Sequence, residues 1–147
     1  MAKENYREIA AETYRALAHL NQLAHKSSIE PGLIDLVYLR VSQINGCAYC
    51  VDAHTYEALE HGEIPQRLYT LTVWRETPFF TARERAALAW AEAMTALPTG
   101  HPSAALHAET RSQFGEREFV DLTFAIATIN ALNRVGVGFQ GEPKRRP

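Results

Sequence analysis

The sequence predicts an all-α fold, a single-domain bundle of about six to seven helices, on three observations. Apolar residues recur at helical spacing from about Asn5 to His25 and again through most of the chain. No stretch alternates apolar and polar residues with the period of a strand. Start and stop signals separate the segments: Pro31 and Thr81-Ala-Arg-Glu84 at beginnings, Gly62 and Gly115 at ends.

In chain order, the first helix carries Ile9, Ala10, Tyr14, Leu17, Ala18, Leu20 and Leu23 on one face and leaves the other wet. The second, about Pro31 to Ile44, is apolar nearly all round and so belongs at the centre. Asp35 and Arg40 interrupt it, and a charge there needs a partner. Two readings of Asp35 stand side by side: a structural ion pair, or a carboxylate facing the cysteines of the next helix.

That third helix, about Cys47 to Glu60, follows the turn dipeptide Asn45-Gly46. Its Asp52, Glu57 and Glu60 read as solvated charges, and His61 as a favourable end to the helix dipole. A fourth, short helix spans about Pro65 to Val73. The capping box at Thr81 and Glu84 opens a fifth, which runs to about Leu97 and stops at Pro98-Thr-Gly-His-Pro102. The sixth, about Ser103 to Phe114, is the most polar. The last, about Glu116 to Val135, has a broad apolar surface that suits a subunit interface. Residues 1–140 form the domain and 141–147 a flexible tail.

Composition narrows the function. At 147 residues with 46% hydrophobic and 22% charged residues, the chain can bury a core without metals or staples. A formal charge of −2 gives no footprint for nucleic acid or an anionic membrane. The apolar stretch from Phe119 to Phe139 is interrupted by Asp121, Asn130, Asn133 and Arg134, which argues against a membrane span. The N-terminal residues have no apolar secretion core, so a cytoplasmic location is expected. No cofactor is expected.

The chemistry concentrates at Ile44-Asn-Gly-Cys-Ala-Tyr-Cys-Val-Asp-Ala-His54, which holds the only two cysteines. Cys47 should lie in the first turn of its helix, where free N–H groups and the dipole favour a thiolate. Cys47, Cys50 and His54 fall at i, i+3 and i+7, on one face. Helical residues three apart have Cα atoms about 5 Å apart, within disulfide range. The helix therefore offers a redox dithiol with its own base; the plain alternative is two small buried core residues.

Asp35-Leu-Val-Tyr-Leu-Arg-Val-Ser-Gln-Ile-Asn-Gly-Cys-Ala-Tyr-Cys-Val-Asp-Ala-His54 resembles the core of the alkylhydroperoxidase D-like (carboxymuconolactone decarboxylase) family. The segments Val73–Glu92 and Ile126–Phe139 resemble it too, so the likeness spans about residues 5 to 140. The resemblance implies a helical subunit that assembles into trimers or hexamers and acts as a thiol-dependent peroxidase or disulfide reductase. Cys47 and Cys50 match the redox pair, and His54 the proton-relay histidine. Asp35 stands where the family usually has a glutamate. Tyr49 replaces a second histidine found in other members. The true decarboxylases lack the cysteine pair, which argues against that reaction here.

On this reading a hydroperoxide is the substrate, and a dithiol reductant or adaptor protein restores the pair. His54 moves the proton and Asp35 fixes its tautomer. The dipole favours Cys47 as the attacking sulfur, while spacing puts His54 nearer Cys50. The reading inclines to Cys50, with Cys47 outward. Tyr38, Tyr49, Trp74 and Phe79 are candidates for an apolar entrance. Two other classes remain open: a zinc site using Cys47, Cys50, His54 and Asp35, and a helical sensor whose dithiol registers oxidation without turnover.

Overall fold

The computed structural model describes residues 4–146. Among them are eight α-helices and two short 3-10 segments, with no strand. The expected first helix is broken in two. Helix α1 (Tyr6–Ile9) is one turn, and α2 (Ala11–His25) follows Ala10, whose backbone sits at φ −119° and ψ 50°. The bend has a tertiary cause. Tyr6 stacks on Phe139 with ring centroids 4.5 Å apart and meets Tyr14 edge-on at 5.9 Å, contacts that override local helix propensity.

Helix α3 (Pro31–Asn45) is the central helix that its sequence calls for, buried from Leu33 through Leu39 and at Val41 and Ser42. One side, with Ile34, Val37 and Val41, packs on Ala87 and Ala91 of α6 (Ala82–Thr95) and on Leu122, Ile126 and Ile129 of α8 (Glu116–Gly138). The other side, Leu36 and Leu39, meets Ala58 of α4 (Ala48–Glu60) and Leu68 of α5 (Pro65–Thr70). Leu71 and Trp74 of the 3-10 segment Leu71–Glu76 complete that second cluster. Each large apolar side chain fully buried in this way contributes about 1.5–3 kcal/mol. Helix α7 (Ala104–Gln113) is capped by Ser103, whose hydroxyl accepts from the Leu106 amide.

Boundaries moved where local geometry intervened. Helix α5 ends at Thr70 because the chain tightens into the 3-10 segment, with Val73 at φ −121°. Helix α8 continues three residues past Val135, through Gly136 to Gly138. The capping box forms as expected: the Thr81 amide donates to Glu84 Oε2 at 2.7 Å, and the Glu84 amide to Thr81 Oγ1 at 3.2 Å. Arg40 resolves as a structural ion pair, donating to Glu92 Oε1 at 2.8 Å.

A polar seam sets the register of α8 against α3. The fully buried Asn133 donates to Ser42 Oγ at 2.9 Å and accepts from Asn45 Nδ2 at 2.9 Å. Asn45 also donates to Asn130 Oδ1 at 3.0 Å, and Asn130 to Thr95 Oγ1 at 3.0 Å. A slip along the helix would strand several buried polar groups at once, so one register is specified. The seam ends where α3 ends, next to the cysteines. No described helix is long and apolar enough to cross a membrane. Beyond α8 the backbone is irregular; Gly141 donates to the Gly136 carbonyl at 2.8 Å, and Arg146 pairs with Asp52 of α4.

Candidate active site

Gly46 terminates α3 in the left-handed region, at φ +66°, which only a residue without Cβ adopts freely. The turn places Cys47 as the N-cap of α4, one position earlier than the first turn anticipated. Its Sγ accepts from the Cys50 amide at 3.3 Å, so the sulfur still takes a hydrogen bond at the positive end of the helix. Cys47 and Cys50 form a disulfide, with Cα atoms 5.2 Å apart.

Both cysteines are buried, Cys47 at 2% exposure and Cys50 at 5%. The expectation of an outward Cys47 is therefore corrected. Helix α8 is the reason: Gly136 lies against both sulfurs, so close that a Cβ there would stand 2.8 Å from Cys47 Sγ and 3.1 Å from Cys50 Sγ. The sulfur with an opening is Cys50. It lines a cavity of about 280 Å³ together with His54, Glu57 and Tyr49 of α4, and with Tyr6, Arg7 and Tyr14 of the N-terminal helices. A larger open groove of about 560 Å³ on another face of α4, bordered by Asp52, Tyr56 and Arg146, includes neither sulfur nor His54.

The carboxylate partners differ from those expected. His54 Nδ1 is 2.8 Å from Glu57 Oε2, one turn further along the same helix. Asp35 instead meets His61, with Oδ2 2.7 Å from Nδ1. Asp35 is buried on α3 and reaches the C-terminal end of α4, where His61 caps the helix. The pairing of Asp35 with His54 is thus replaced by two separate carboxylate–imidazole pairs. The hydrogen bond from His54 holds the Glu57 carboxyl below its usual range against the opposing effect of burial, and the His25 and His61 imidazoles add to it. The bond to Asp35 raises the His61 imidazole.

Of the aromatic candidates, Tyr49 borders the cavity. Tyr38 is fully buried and serves as a wall behind the imidazoles, edge-on to His54 at 5.2 Å and to His25 at 5.1 Å. Burial, with the nearby Glu57 charge, pushes its phenol up and keeps it neutral. Trp74 is a correction: it sits in the second core cluster and donates to Glu92 Oε1 at 2.9 Å, away from the cavity. Phe79 packs on that same cluster. Among the described residues, no group of three or more His, Cys, Asp or Glu is arranged to hold a metal ion.

Sequence reasoning missed four contributors. Glu57 was legible in principle, since i+3 from His54 puts both on one face. Gly136 had a weaker signal, as a glycine inside a long helical pattern that asks for a packing reason. Arg7 and Tyr6 had none, because their approach depends on the bend at Ala10.

Fold and site together define an all-helical protein carrying a disulfide at a helix N-terminus, with an imidazole–carboxylate pair beside it. The chain belongs to the carboxymuconolactone decarboxylase family, whose pattern matches residues 11–93, and within it to the alkylhydroperoxidase D-like members that keep the cysteine pair. It is 37% identical over 133 residues to YdfG of Bacillus subtilis, spanning 90% of each chain. A protein of unknown function from Agrobacterium tumefaciens, described as a candidate antioxidant defence protein AhpD, superimposes with a TM-score of 0.95 at 35% identity, over 99% of this chain and 100% of that one. An uncharacterised peroxidase-related protein from Silicibacter has a TM-score of 0.81 at 25% identity, over 91% of this chain and 71% of its own.

Proposed function

We propose that this protein is a thiol-dependent peroxidase that reduces hydroperoxides through the Cys47–Cys50 pair. The observation that carries the reading is that Cys50 and His54 border one cavity while Glu57 is hydrogen-bonded to Nδ1 of the imidazole. A carboxylate can only accept, so Nδ1 carries the proton and Nε2 is left as the base.

In the reduced protein His54 takes the Cys50 proton, and the thiolate attacks one oxygen of the hydroperoxide. The O–O bond breaks, Cys50 becomes a sulfenic acid, and the departing alkoxide collects the proton from His54 as an alcohol. Cys47 then attacks the Cys50 sulfur; hydroxide leaves with the Cys47 proton as water, and the disulfide forms. A dithiol, small or carried by an adaptor protein, returns two electrons and two protons. Peroxide and dithiol are thus converted to alcohol, water and a disulfide. We place this cycle in the cytoplasm, in a homo-oligomer of the trimer or hexamer type.

The test is a free-thiol count and intact mass on the reduced protein before and after one equivalent of cumene hydroperoxide, beside Cys47→Ser and Cys50→Ser. Loss of both thiols with two hydrogens, and a sulfenic acid trapped on Cys50 in Cys47→Ser, is the expected result. Thiols left intact by the peroxide would sink the mechanism.

A further inference from the structure

Helix α4 supplies the chemistry of the 280 Å³ cavity, but its opposite wall comes from the N-terminal helices. Among the described residues Arg7 is the one arginine or lysine on the lining, and it sits on aromatic faces, its Cζ 5.8 Å from the Tyr6 ring centre and 5.3 Å from that of Tyr14. Tyr6 is itself anchored by stacking on Phe139. The guanidinium is held in place by these ring contacts and by hydrogen bonds to the Tyr6 and Tyr49 side chains, and the rest of its N–H donors are left to a ligand. Of the two carboxylates on the lining, Glu57 is committed to His54, and Glu142 lies on the segment that follows α8. Cavity size sets the other limit. At about 280 Å³ it falls just under the range usual for drug-sized ligands, so it suits a compact molecule and not a long acyl chain.

We propose that this cavity selects a small, flat organic hydroperoxide that bears a carboxylate, its peroxide end at Cys50 and its carboxylate on Arg7, between the rings of Tyr6, Tyr14 and Tyr49. The proposal rests on the peroxidase reading and names its substrate class. Arginine supplies N–H donors that match a carboxylate, and the Tyr49 ring with Leu132 and Val135 on the lining favours an apolar, flat body over hydrogen peroxide.

The experiment compares second-order oxidation rates of the reduced protein by cumene hydroperoxide and by its ring-carboxylated derivative, in wild type, Arg7→Gln and Arg7→Lys. Wild type should prefer the carboxylated peroxide by about tenfold, the scale of one charge-assisted hydrogen-bond pair. Arg7→Gln should bring the two rates to within about twofold by slowing the carboxylated peroxide more than the neutral one, and Arg7→Lys should restore part of the preference. Equal rates in wild type, or an equal slowing of both substrates in Arg7→Gln, would overturn the proposal. Calorimetric titration of the disulfide form with benzoate separates this from the peroxidase reading. Binding lost in Arg7→Gln supports the anion site even if neither peroxide oxidises the protein, whereas no binding in wild type, or the same affinity in both, overturns it.

Discussion

Glu57 holds the Nδ1 of His54 at 2.8 Å, within a single helix and one turn apart. The carboxylate available to the imidazole is thus local, while Asp35, the partner expected from the sequence, is occupied by His61. The expected consequence is a reversal of the usual ranking. Glu57→Gln should slow peroxide oxidation by about tenfold or more, since an amide can no longer enforce the tautomer that leaves Nε2 as the base. Asp35→Asn should affect the rate less. Rapid-quench thiol counts on the two variants decide it, and a larger loss in Asp35→Asn would return the relay to α3. Because the hydrogen bond from His54 lowers the Glu57 carboxyl, the pair should survive to a lower pH than an unpaired glutamate stays ionised.

The Asp35–His61 pair predicts a pH dependence of stability with a definite sign. The folded imidazole is raised above its unfolded value by the bond to Asp35. Its contribution is therefore fully present below about pH 6.5, the unfolded value, and is lost as pH rises through the raised folded value. His61 is half exposed, its side chain at 51%, so solvent screens the pair and the effect should stay within about 1 kcal/mol. Urea melts of wild type and His61→Asn should differ most near pH 5.5 and converge toward pH 9. A gap that widened with pH would contradict the assignment.

How far the sequence could be read depended on whether the signal was local. The closeness of Cys47 and Cys50, the capping box at Thr81 and the largely buried character of α3 are written in spacings of three and four, and all appear in the structure. The partner of Asp35 is 26 residues away, and which imidazole it meets depends on where α4 stops against α3. Trp74 has the composition of a pocket residue, but its indole N–H goes to Glu92, a contact that only tertiary packing decides. Likewise, the exposure of the two sulfurs follows from α8 lying across Cys47, which no property of the motif foretells.

Reduction of the disulfide should leave the fold in place. The bridge closes a loop of about four residues, for which chain-entropy arguments give a stabilisation of only about 2 kcal/mol. The cores on both sides of α3 do not use it. Helical circular dichroism should be unchanged by an excess of dithiol, with the denaturant midpoint shifted by no more than that amount. Collapse of the helical signal on reduction would make the bridge a structural staple and weaken the case for cycling.

Two glycines on α8, two residues apart, provide a matched pair for the last prediction. At Gly136 a methyl group would stand 2.8 Å from one sulfur and 3.1 Å from the other, whereas at Gly138 nothing lies within 4 Å. Helix propensity alone favours alanine over glycine by up to about 1 kcal/mol at a helix-interior position, and by less near an end. Gly138→Ala should therefore be neutral or slightly stabilising. Gly136→Ala must separate α8 from the N-terminus of α4, and α8 cannot slide to make room, because Asn133, one turn earlier, is locked to Ser42 and Asn45. Overpacking of this kind costs about 1–3 kcal/mol, more than the propensity gain. In thermal melts of the disulfide form Gly136→Ala should fall below wild type, while Gly138→Ala should not. If Gly136→Ala melts no lower than wild type, the close packing of α8 on the sulfurs does not hold, and with it falls the explanation for why Cys47 is shielded and Cys50 is the sulfur that opens on the cavity.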